Sequence, residues 1–231
     1  MKEIQILKNN DVKFSGVIHV GAHRGEEITY YEEHFNAKKA VFIEPNPDVF
    51  DELKFNINNK SFFNIKSYCY CCAISDFDGE SDFNIIYGED AKFMEGNKGC
   101  SSLLDIDYKN VNEQNNKHHF IFQNKIKVPV FKLDTLLETN DHKFEDYQFL
   151  NIDAQGVELQ VLKGAENLLT KKSIKYILVE STIQKPFYKQ NSLFDNLKDF
   201  LEKRNFKFIE MIWHNEGVWG DALFIRRNDE D

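Results

Sequence analysis

Two glycines and one acid near the start of the chain have the types and spacing of a ligand-binding loop. β-Forming residues run into Gly21, a short turn follows, and a helical pattern begins after Gly25 with acids in its first turn. Glycine lets a ligand approach the backbone closely and tolerates the positive φ of tight turns. A second apolar stretch, residues 40–43, ends in Glu44. In a βαβ unit such an acid lies beside the first loop, where its oxygens can accept hydrogen bonds from both hydroxyls of a ribose.

The same loop indicates a nucleoside without phosphates. Residues 21–25 lack the G-x-G-x-x-G pattern of dinucleotide sites and the Gly-Lys-Ser/Thr of a P-loop. Glu26 and Glu27 would repel a phosphate at the start of the helix. S-adenosylmethionine, a sulfonium cation with a ribose diol, fits these features, although a βαβ unit with an unrelated ligand could carry the same residues.

Eight segments of the chain also match a known family, in family order, from about residue 16 onward. They are VIHVGAHRGEE, FIEPNP, CAISDFDGE, the SSLL at 101–104, VPVFKLDTLL, FLNIDAQGVELQVLKGAENLL, YILVEST and DALFIRR. On these segments the chain resembles the FkbM family of class I S-adenosylmethionine-dependent methyltransferases, and NIDAQGVELQVLKGA is the most specific match. One departure is His19, which stands where the family usually has an acid, so the group that holds the methionine amino group is left open.

Nine residues are predicted to contact the cofactor. Gly21, Ala22 and Glu44 carry the main interactions, and Cys72 and Ile74 are expected beside the adenine, with Asp76 a further candidate. The full set is His19, Gly21, Ala22, His23, Glu26, Glu44, Asn46, Ala73 and Asp153.

Three residues are predicted to act on the acceptor: Asp153, Glu180 and His214. Ligands of open α/β sheets bind beyond the carboxyl ends of the strands, and predicted strands 147–152 and 174–179 end at Asp153 and Glu180. Asp153 would orient the acceptor or remove its proton; the alternative is an N-cap of the next helix. His214 is a candidate base or acceptor contact, the alternative being a surface histidine.

Other polar residues near this edge leave alternatives open. Glu158 either faces the acceptor or is a solvated acid near the helix N-terminus. Ser101 and Ser102 either line the acceptor pocket or cap a short helix. Asp153 and Glu180, with Asp221, could supply oxygen ligands to Mg²⁺, but no spacing requires this and we predict no metal site.

The order of elements predicts an α/β fold. Strands are expected at 16–20, 40–44, 65–74, 147–152 and 174–179, and a closing hairpin at 206–213 and 218–226, with the turn at 215–217. Helices are expected at 25–35, 47–59, 156–169 and 192–204, the last with Ser192 as N-cap. This pattern predicts a Rossmann-like, mostly parallel seven-stranded sheet with one antiparallel strand and helices on both faces.

Residues 80–127 interrupt that rhythm, after the third strand. SDFNIIYG is predicted to be an extra strand that pairs with residues 125–132. We interpret the region as a cap over the substrate side with a mobile Asn-rich tip; for residues 105–119 a plain surface insertion is an equal alternative. The whole chain, 1–231, is expected to be one domain.

Composition and charge exclude several classes of function. The 231 residues carry a net charge of −9, which argues against a nucleic-acid backbone as the main partner. No apolar stretch approaches a membrane span and the N-terminus lacks the features of a signal peptide, so a cytoplasmic protein is expected. Cys69, Cys71 and Cys72 are interpreted as reduced core cysteines rather than metal ligands.

The predicted function is transfer of a methyl group from S-adenosylmethionine to a hydroxyl of a sugar, glycan or related small molecule. The methyltransferase class follows from the resemblance and from the predicted edge of the sheet, and the sugar acceptor from the resemblance alone. The alternative is a catalytically silent S-adenosylmethionine-binding module in a surface-glycan assembly.

Overall fold

The structure is a computed structural model, and it describes residues 2–59, 64–88, 98–113, 120–184, 186–214 and 217–228. Ten strands are described: β1 Gly16–Val20, β2 Lys39–Ile43, β3 Lys66–Tyr70, β4 Ala73–Ile74, β5 Gly79–Gly88, β6 Phe120–Phe131, β7 Phe149–Ile152, β8 Tyr176–Thr182, β9 Phe206–His214 and β10 Trp219–Arg226. The α-helices are α1 Lys2–Asn9, α2 Ile28–Phe35, α3 Pro47–Asn59, α4 Tyr108–Glu113, α5 Leu133–Thr139, α6 Glu158–Lys163, α7 Glu166–Thr170 and α8 Phe194–Glu202.

The seven-stranded sheet has the order β3-β2-β1-β7-β8-β10-β9. The five strands from β3 to β8 are parallel to one another, and β10 runs antiparallel to both β8 and β9. This confirms the predicted fold class. β1 is buried along its whole length, as expected for a central strand covered on both faces. Because β1, β2, β7 and β8 are parallel, the turns that follow them meet at one edge of the sheet.

The predicted strand 65–74 is divided in two. β3 is the edge strand of the main sheet, and after Tyr70 the chain leaves it, so that β4 pairs instead with β6 in a separate three-stranded sheet. The break leaves Cys71 exposed while Cys72 is buried, so the interpretation of Cys71 as a core residue is wrong.

The predicted helix 156–169 is also divided. α6 ends before Gly164, whose backbone packs so closely on Ser75 that a Cβ would lie 2.1 Å from the Ser75 carbonyl oxygen. α7 then begins with a cap supplied from outside the helix: the Asp134 carboxylate accepts hydrogen bonds from the backbone N–H groups of Asn167 and Leu168, at 2.7 and 2.9 Å.

Two helix starts also differ from prediction. α2 begins at Ile28 because Gly25 to Glu27 form a turn. α8 begins at Phe194, and its N-cap is Leu193 rather than Ser192; Asn196 Oδ1 accepts a hydrogen bond from the Leu193 N–H at 3.2 Å. The predicted α3 is confirmed at both ends.

The insertion adds the second sheet, in which β5 pairs antiparallel with β6 as predicted. Residues 101–104, the SSLL segment, are described and do not form the expected short helix. Instead, Ser102 pairs with Asn84 on β5, its N–H and C=O exchanging hydrogen bonds with that residue. The predicted Asn-rich tip, 114–119, and the predicted hairpin residues 215–216 lie outside the described residues. No α-helix in the part that is described is long and apolar enough to cross a membrane.

Candidate functional site

The turn after β1 is held by backbone contacts that only glycine permits. Gly21 has a φ of 78°, and a Cβ there would lie 1.7 Å from the carbonyl oxygen of Asp153, the residue that follows β7. The N–H groups of Gly21 and Ala22 both donate to the carbonyl of Ile43, at 2.9 and 3.0 Å. The ends of β1, β2 and β7 are therefore locked together at this turn.

Glu44 joins the turn after β1 to the turn after β2. It is 8% exposed; its Oε2 accepts a hydrogen bond from the His23 N–H at 3.0 Å and its Oε1 accepts one from the Asn46 N–H at 2.8 Å. Burial raises the pKa of Glu44 to about 7. Each oxygen keeps capacity for a further hydrogen bond, which is what a ribose diol would use.

A cleft of about 350 Å³ lies between these turns and the small sheet, and we call it the cofactor cleft. Eight of the nine predicted cofactor residues line it: His19, Gly21, Ala22, His23, Glu26, Glu44, Ala73 and Asp153. Cys72 and Ile74 line it as well, whereas Asp76 does not. Asn46 is outside the lining; it is buried, and its Oδ1 caps α3 by accepting a hydrogen bond from the Asp48 N–H.

His19 is a neutral, fully engaged side chain. It is 3% exposed, with its ring nitrogens 3.2 Å from the Tyr31 hydroxyl and 3.2 Å from Asn151 Nδ2. Burial lowers the pKa of His19 to about 4, so the ring carries no charge at neutral pH.

The two acids at the start of α2 have different surroundings. Glu26 is used within the loop, since its Oε1 lies 2.9 Å from His23 Nδ1 and its Oε2 accepts a hydrogen bond from the Arg24 N–H. Burial opposes protonation of His23, but the contact with Glu26 outweighs it and the pKa of His23 is raised. Glu27, which the sequence did not single out as a cofactor residue, lines the cofactor cleft too.

A second cavity, of about 610 Å³, lies on the other side of Asp153, and we call it the acceptor cavity. It shares five lining residues with the cofactor cleft: His19, Glu27, Gly99, Asp153 and Gln155. The predicted catalytic residues Asp153, Glu180 and His214 all line it. The two spaces are therefore joined where Asp153 lies.

Asp153 and Glu180 form a carboxyl pair bridged by one amide. Gln155 Nε2 donates to Asp153 Oδ1 at 2.5 Å and to Glu180 Oε2 at 3.0 Å. Although the Asp153 side chain faces the open cavity, the enclosing protein and the charge of Asp221 raise its pKa to about 6. Burial and then Asp153 raise the pKa of Glu180 well above its usual value, so a proton retained by the pair is favoured on Glu180.

Glu158 is a buried cap rather than a solvated acid, so that alternative is wrong. It is 2% exposed, and its Oε1 accepts hydrogen bonds from the N–H groups of Ala154 and Gly156, at 3.2 and 2.9 Å. Burial raises its pKa to about 7. The N-cap position of α6 is Val157, so the alternative role of Asp153 as an N-cap is also wrong.

The remaining predicted residues have defined contacts around the two spaces. His214 Nε2 lies 2.8 Å from Asp221 Oδ2, and its ring packs on Trp219 with centroids 4.4 Å apart. Ser101 lines the cofactor cleft, while the Ser102 hydroxyl donates to the Gln155 carbonyl at 2.6 Å. The SSLL segment thus connects the insertion to the turn that carries Asp153.

Tyr188 is a site residue that the sequence did not reveal. It is 4% exposed, and its hydroxyl lies 2.8 Å from Gln155 Oε1 and 2.7 Å from the Cys100 carbonyl oxygen. It follows β8 in a segment without periodicity or motif, so no pattern could have identified it. Among the described residues, no group of three or more His, Cys, Asp or Glu side chains is arranged to hold a metal ion.

The chain is similar in fold to solved methyltransferases. Magnesium protoporphyrin IX methyltransferase from Synechocystis, solved with bound S-adenosylmethionine, matches with a TM-score of 0.51 and 5% identity over 98% of this chain and 77% of that one. The m1A22 tRNA methyltransferase of B. subtilis matches with a TM-score of 0.50 and 10% identity over 100% of this chain and 67% of that one. At these identities the likeness shows the shared fold alone.

The family assignment comes from the sequence. No curated protein matches the chain. The model of the methyltransferase FkbM domain matches residues 19–208, which include the turn after β1, Glu44, the insertion and the carboxyl pair. The chain belongs to the FkbM family of S-adenosylmethionine-dependent methyltransferases.

Proposed function

We propose that this methyltransferase acts on a hydroxyl group of a sugar, glycan or related small molecule. The observation that carries the proposal is the junction at Asp153, where the cofactor cleft opens into an acidic cavity large enough for a small acceptor. S-adenosylmethionine supplies an electrophilic methyl group on a positively charged sulfur.

The cofactor cleft has groups that fit this cofactor. Glu44 would bind the ribose hydroxyls, and the backbone at Gly21 and Ala22 allows close approach. Apolar side chains of Ile74 and Phe83 line the part of the cleft toward the small sheet, where an adenine ring would pack. Two lining atoms, His23 Nε2 and Glu27 Oε2, are buried and have no hydrogen-bond partner, as expected of groups that bind a ligand.

The carboxyl pair can take the proton that a hydroxyl must lose. Because its pKa is raised to about 6, Asp153 is ionised at neutral pH and is a stronger base than an exposed aspartate. Glu180 stays protonated beside it and Gln155 fixes the pair in place. The acceptor oxygen would sit in the cavity with its hydrogen toward Asp153, and the proton would pass to that carboxylate.

The walls of the acceptor cavity favour a neutral, hydroxyl-rich acceptor. Among the described residues that line it there is no Lys or Arg, which disfavours phosphorylated and nucleic-acid acceptors. Carboxylates and the unpartnered oxygens of Ser181 and Asn191 can accept hydrogen bonds from hydroxyls. The rings of Trp219 and Tyr188 provide apolar faces against which a sugar could pack.

The insertion would cover this acceptor. Gly99 and Cys100 line the acceptor cavity, and the Ser102 hydroxyl donates a hydrogen bond to the Gln155 carbonyl. The predicted cap would therefore contact both the acceptor cavity and the turn that carries Asp153. A place in polysaccharide synthesis and a cytoplasmic location are further parts of the proposal.

Release of S-adenosylhomocysteine in the presence of acceptors tests the proposal. Wild-type protein should release it with neutral oligosaccharides or glycosides, and mass spectrometry should locate the new methyl group on oxygen. A product methylated on nitrogen would contradict the hydroxyl acceptor. Binding of S-adenosylmethionine without turnover on any acceptor would favour the silent binding module instead.

A further inference from the structure

The methionine end of the cofactor carries an ammonium group that needs an anionic partner, and His19 cannot be that partner. The imidazole is neutral and its nitrogens face Tyr31 and Asn151. A neutral ring whose two nitrogens already have partners has no strong interaction left for a cation.

Glu27 presents a carboxylate oxygen at the same place. It lines both the cofactor cleft and the acceptor cavity, and its Oε2 is buried without a hydrogen-bond partner, 4.0 Å from His19 Nδ1. The side chain as a whole is 32% exposed, so a ligand can reach the carboxylate. The neighbouring acid Glu26 differs, because both of its oxygens are already used by His23 and Arg24.

Among the described residues, one other carboxylate lies at the junction of the two spaces. That group is Asp153, which is paired with Glu180 and held by Gln155 on the acceptor side. A cofactor whose reactive carbon lies near Asp153 would extend its amino-acid end past the shared wall formed by His19 and Glu27. We propose that Glu27 binds the ammonium group of S-adenosylmethionine.

The electrostatics of Glu27 agree with a missing cation. Burial, and then the negative charges of Glu26 and Asp153, raise the pKa of Glu27 to about 7, against the opposing effects of a backbone hydrogen bond at Glu27 and of the positive charge of His23. The other titratable groups near it are the neutral His19 and Tyr31. An ammonium group beside Glu27 would supply the charge that keeps the carboxylate ionised.

Binding measurements with a Glu27→Gln variant test the inference. The variant keeps the size of the side chain and removes its charge, and Glu27 makes no side-chain cap bond to α2, so the helix start is preserved. Three ligands are compared by titration calorimetry: S-adenosylmethionine, S-adenosylhomocysteine and 5′-methylthioadenosine. The last has the adenosine and the thioether but no amino-acid end.

The variant should bind S-adenosylmethionine and S-adenosylhomocysteine about 10- to 100-fold more weakly, the loss expected for one charged hydrogen bond. Its affinity for 5′-methylthioadenosine should stay within about twofold of wild type. In the matched control, Glu26→Gln, the change in affinity should be similar for all three ligands, because Glu26 makes its hydrogen bonds within the loop.

Equal weakening of all three ligands, or unchanged affinity for all three, would overturn the role of Glu27 while leaving the methyltransferase function intact. A wild-type protein that bound 5′-methylthioadenosine as tightly as S-adenosylhomocysteine would also overturn it. Failure of the wild type to bind S-adenosylmethionine at all would remove the proposed function together with this inference.

Discussion

The cofactor cleft and the acceptor cavity meet at Asp153 but are built in different ways. The cleft is shaped by backbone: turns after β1 and β2, a glycine with no room for a side chain, and one carboxylate bound to two N–H groups. The cavity is shaped by side chains from α1, β8, β10, the insertion and the segment after β8. A backbone site tolerates few changes, whereas a side-chain site can change its acceptor while the cofactor stays the same.

The largest effect should come from adding one methyl group to the backbone-built cleft. In a Gly21→Ala variant the new Cβ would lie 1.7 Å from the Asp153 carbonyl, and the positive φ is unfavourable as well. To relieve this contact the ends of β1 and β7 must move apart, which should lower the free energy of unfolding by about 1–3 kcal/mol in addition to the cost of the positive φ. The displaced turn should no longer bind the cofactor. Chemical denaturation and calorimetry measure the two effects.

Gly217→Ala is the matched control for that variant. Gly217 also has a positive φ, 82°, but among the described residues a Cβ there meets nothing closer than 3.8 Å, so a conformational cost of about 1 kcal/mol is expected. Equal destabilisation by the two substitutions would mean that the close approach at Gly21 is not important.

Asp153→Asn should lower the rate of methyl transfer by about 10²–10⁴-fold, the usual contribution of a general base. The affinity for S-adenosylmethionine should change by only a few-fold, because the residue acts on the acceptor side. Single-turnover rates and calorimetry separate the two. A variant with an unchanged rate would show that another group accepts the proton.

Glu44→Gln should weaken cofactor binding by about 10- to 100-fold through loss of a charged hydrogen-bond acceptor. Because Glu44 is placed to contact the ribose, the loss should be the same for S-adenosylmethionine and for 5′-methylthioadenosine. Glu27→Gln should spare the second ligand, so the two variants divide the cleft into a nucleoside half and an amino-acid half. Identical ligand patterns for both variants would contradict that division.

The smallest effect concerns pH. With a pKa of about 6, Asp153 loses its proton as the pH rises through 6, so kcat/KM for the acceptor, measured with saturating S-adenosylmethionine, should increase from pH 5 to 7 and then level. Gln155→Met removes the amide that stabilises the ionised Asp153 carboxylate, so the pKa of Asp153 should rise. The rise of kcat/KM with pH should therefore move to higher pH, with a few-fold loss of rate at pH 6 and little loss at pH 8.

Gln160→Met, on α6 and outside the lining of both cavities, is the control for that profile. This variant should leave the pH dependence of kcat/KM unchanged. A wild-type rate that did not depend on pH between 5 and 7 would contradict the role of Asp153 as the base.

The contrast between the two regions also explains what the sequence could predict. Gly21 and Glu44 were recognisable because strand ends, glycines and acids follow each other at short spacing. Asn46 was assigned to the cofactor, yet Asn before Pro47 is also a helix N-cap signal, and that is the role its side chain has. Glu26 and Glu27 both line the cofactor cleft, but only Glu26 was predicted; which acid faces a ligand depends on where α2 begins, and helix starts cannot be fixed from a sequence to one residue.

Features that depend on distant contacts could not be predicted. The break between α6 and α7 results from the packing of Gly164 on Ser75 and from capping by Asp134, which lies 33 residues before Asn167. Ser181 and Tyr188 enter the acceptor cavity without any pattern in the sequence around them. The bridge from Gln155 to two carboxyl groups follows only from the three-dimensional arrangement.

A crystal structure with S-adenosylhomocysteine tests the central claim most directly, because it shows where each part of the ligand lies. The ribose hydroxyls should lie within hydrogen-bond distance of the Glu44 oxygens, with the sulfur directed toward Asp153 and the junction of the two spaces. A ligand bound elsewhere, or a ribose that makes no contact with Glu44, would contradict the claim.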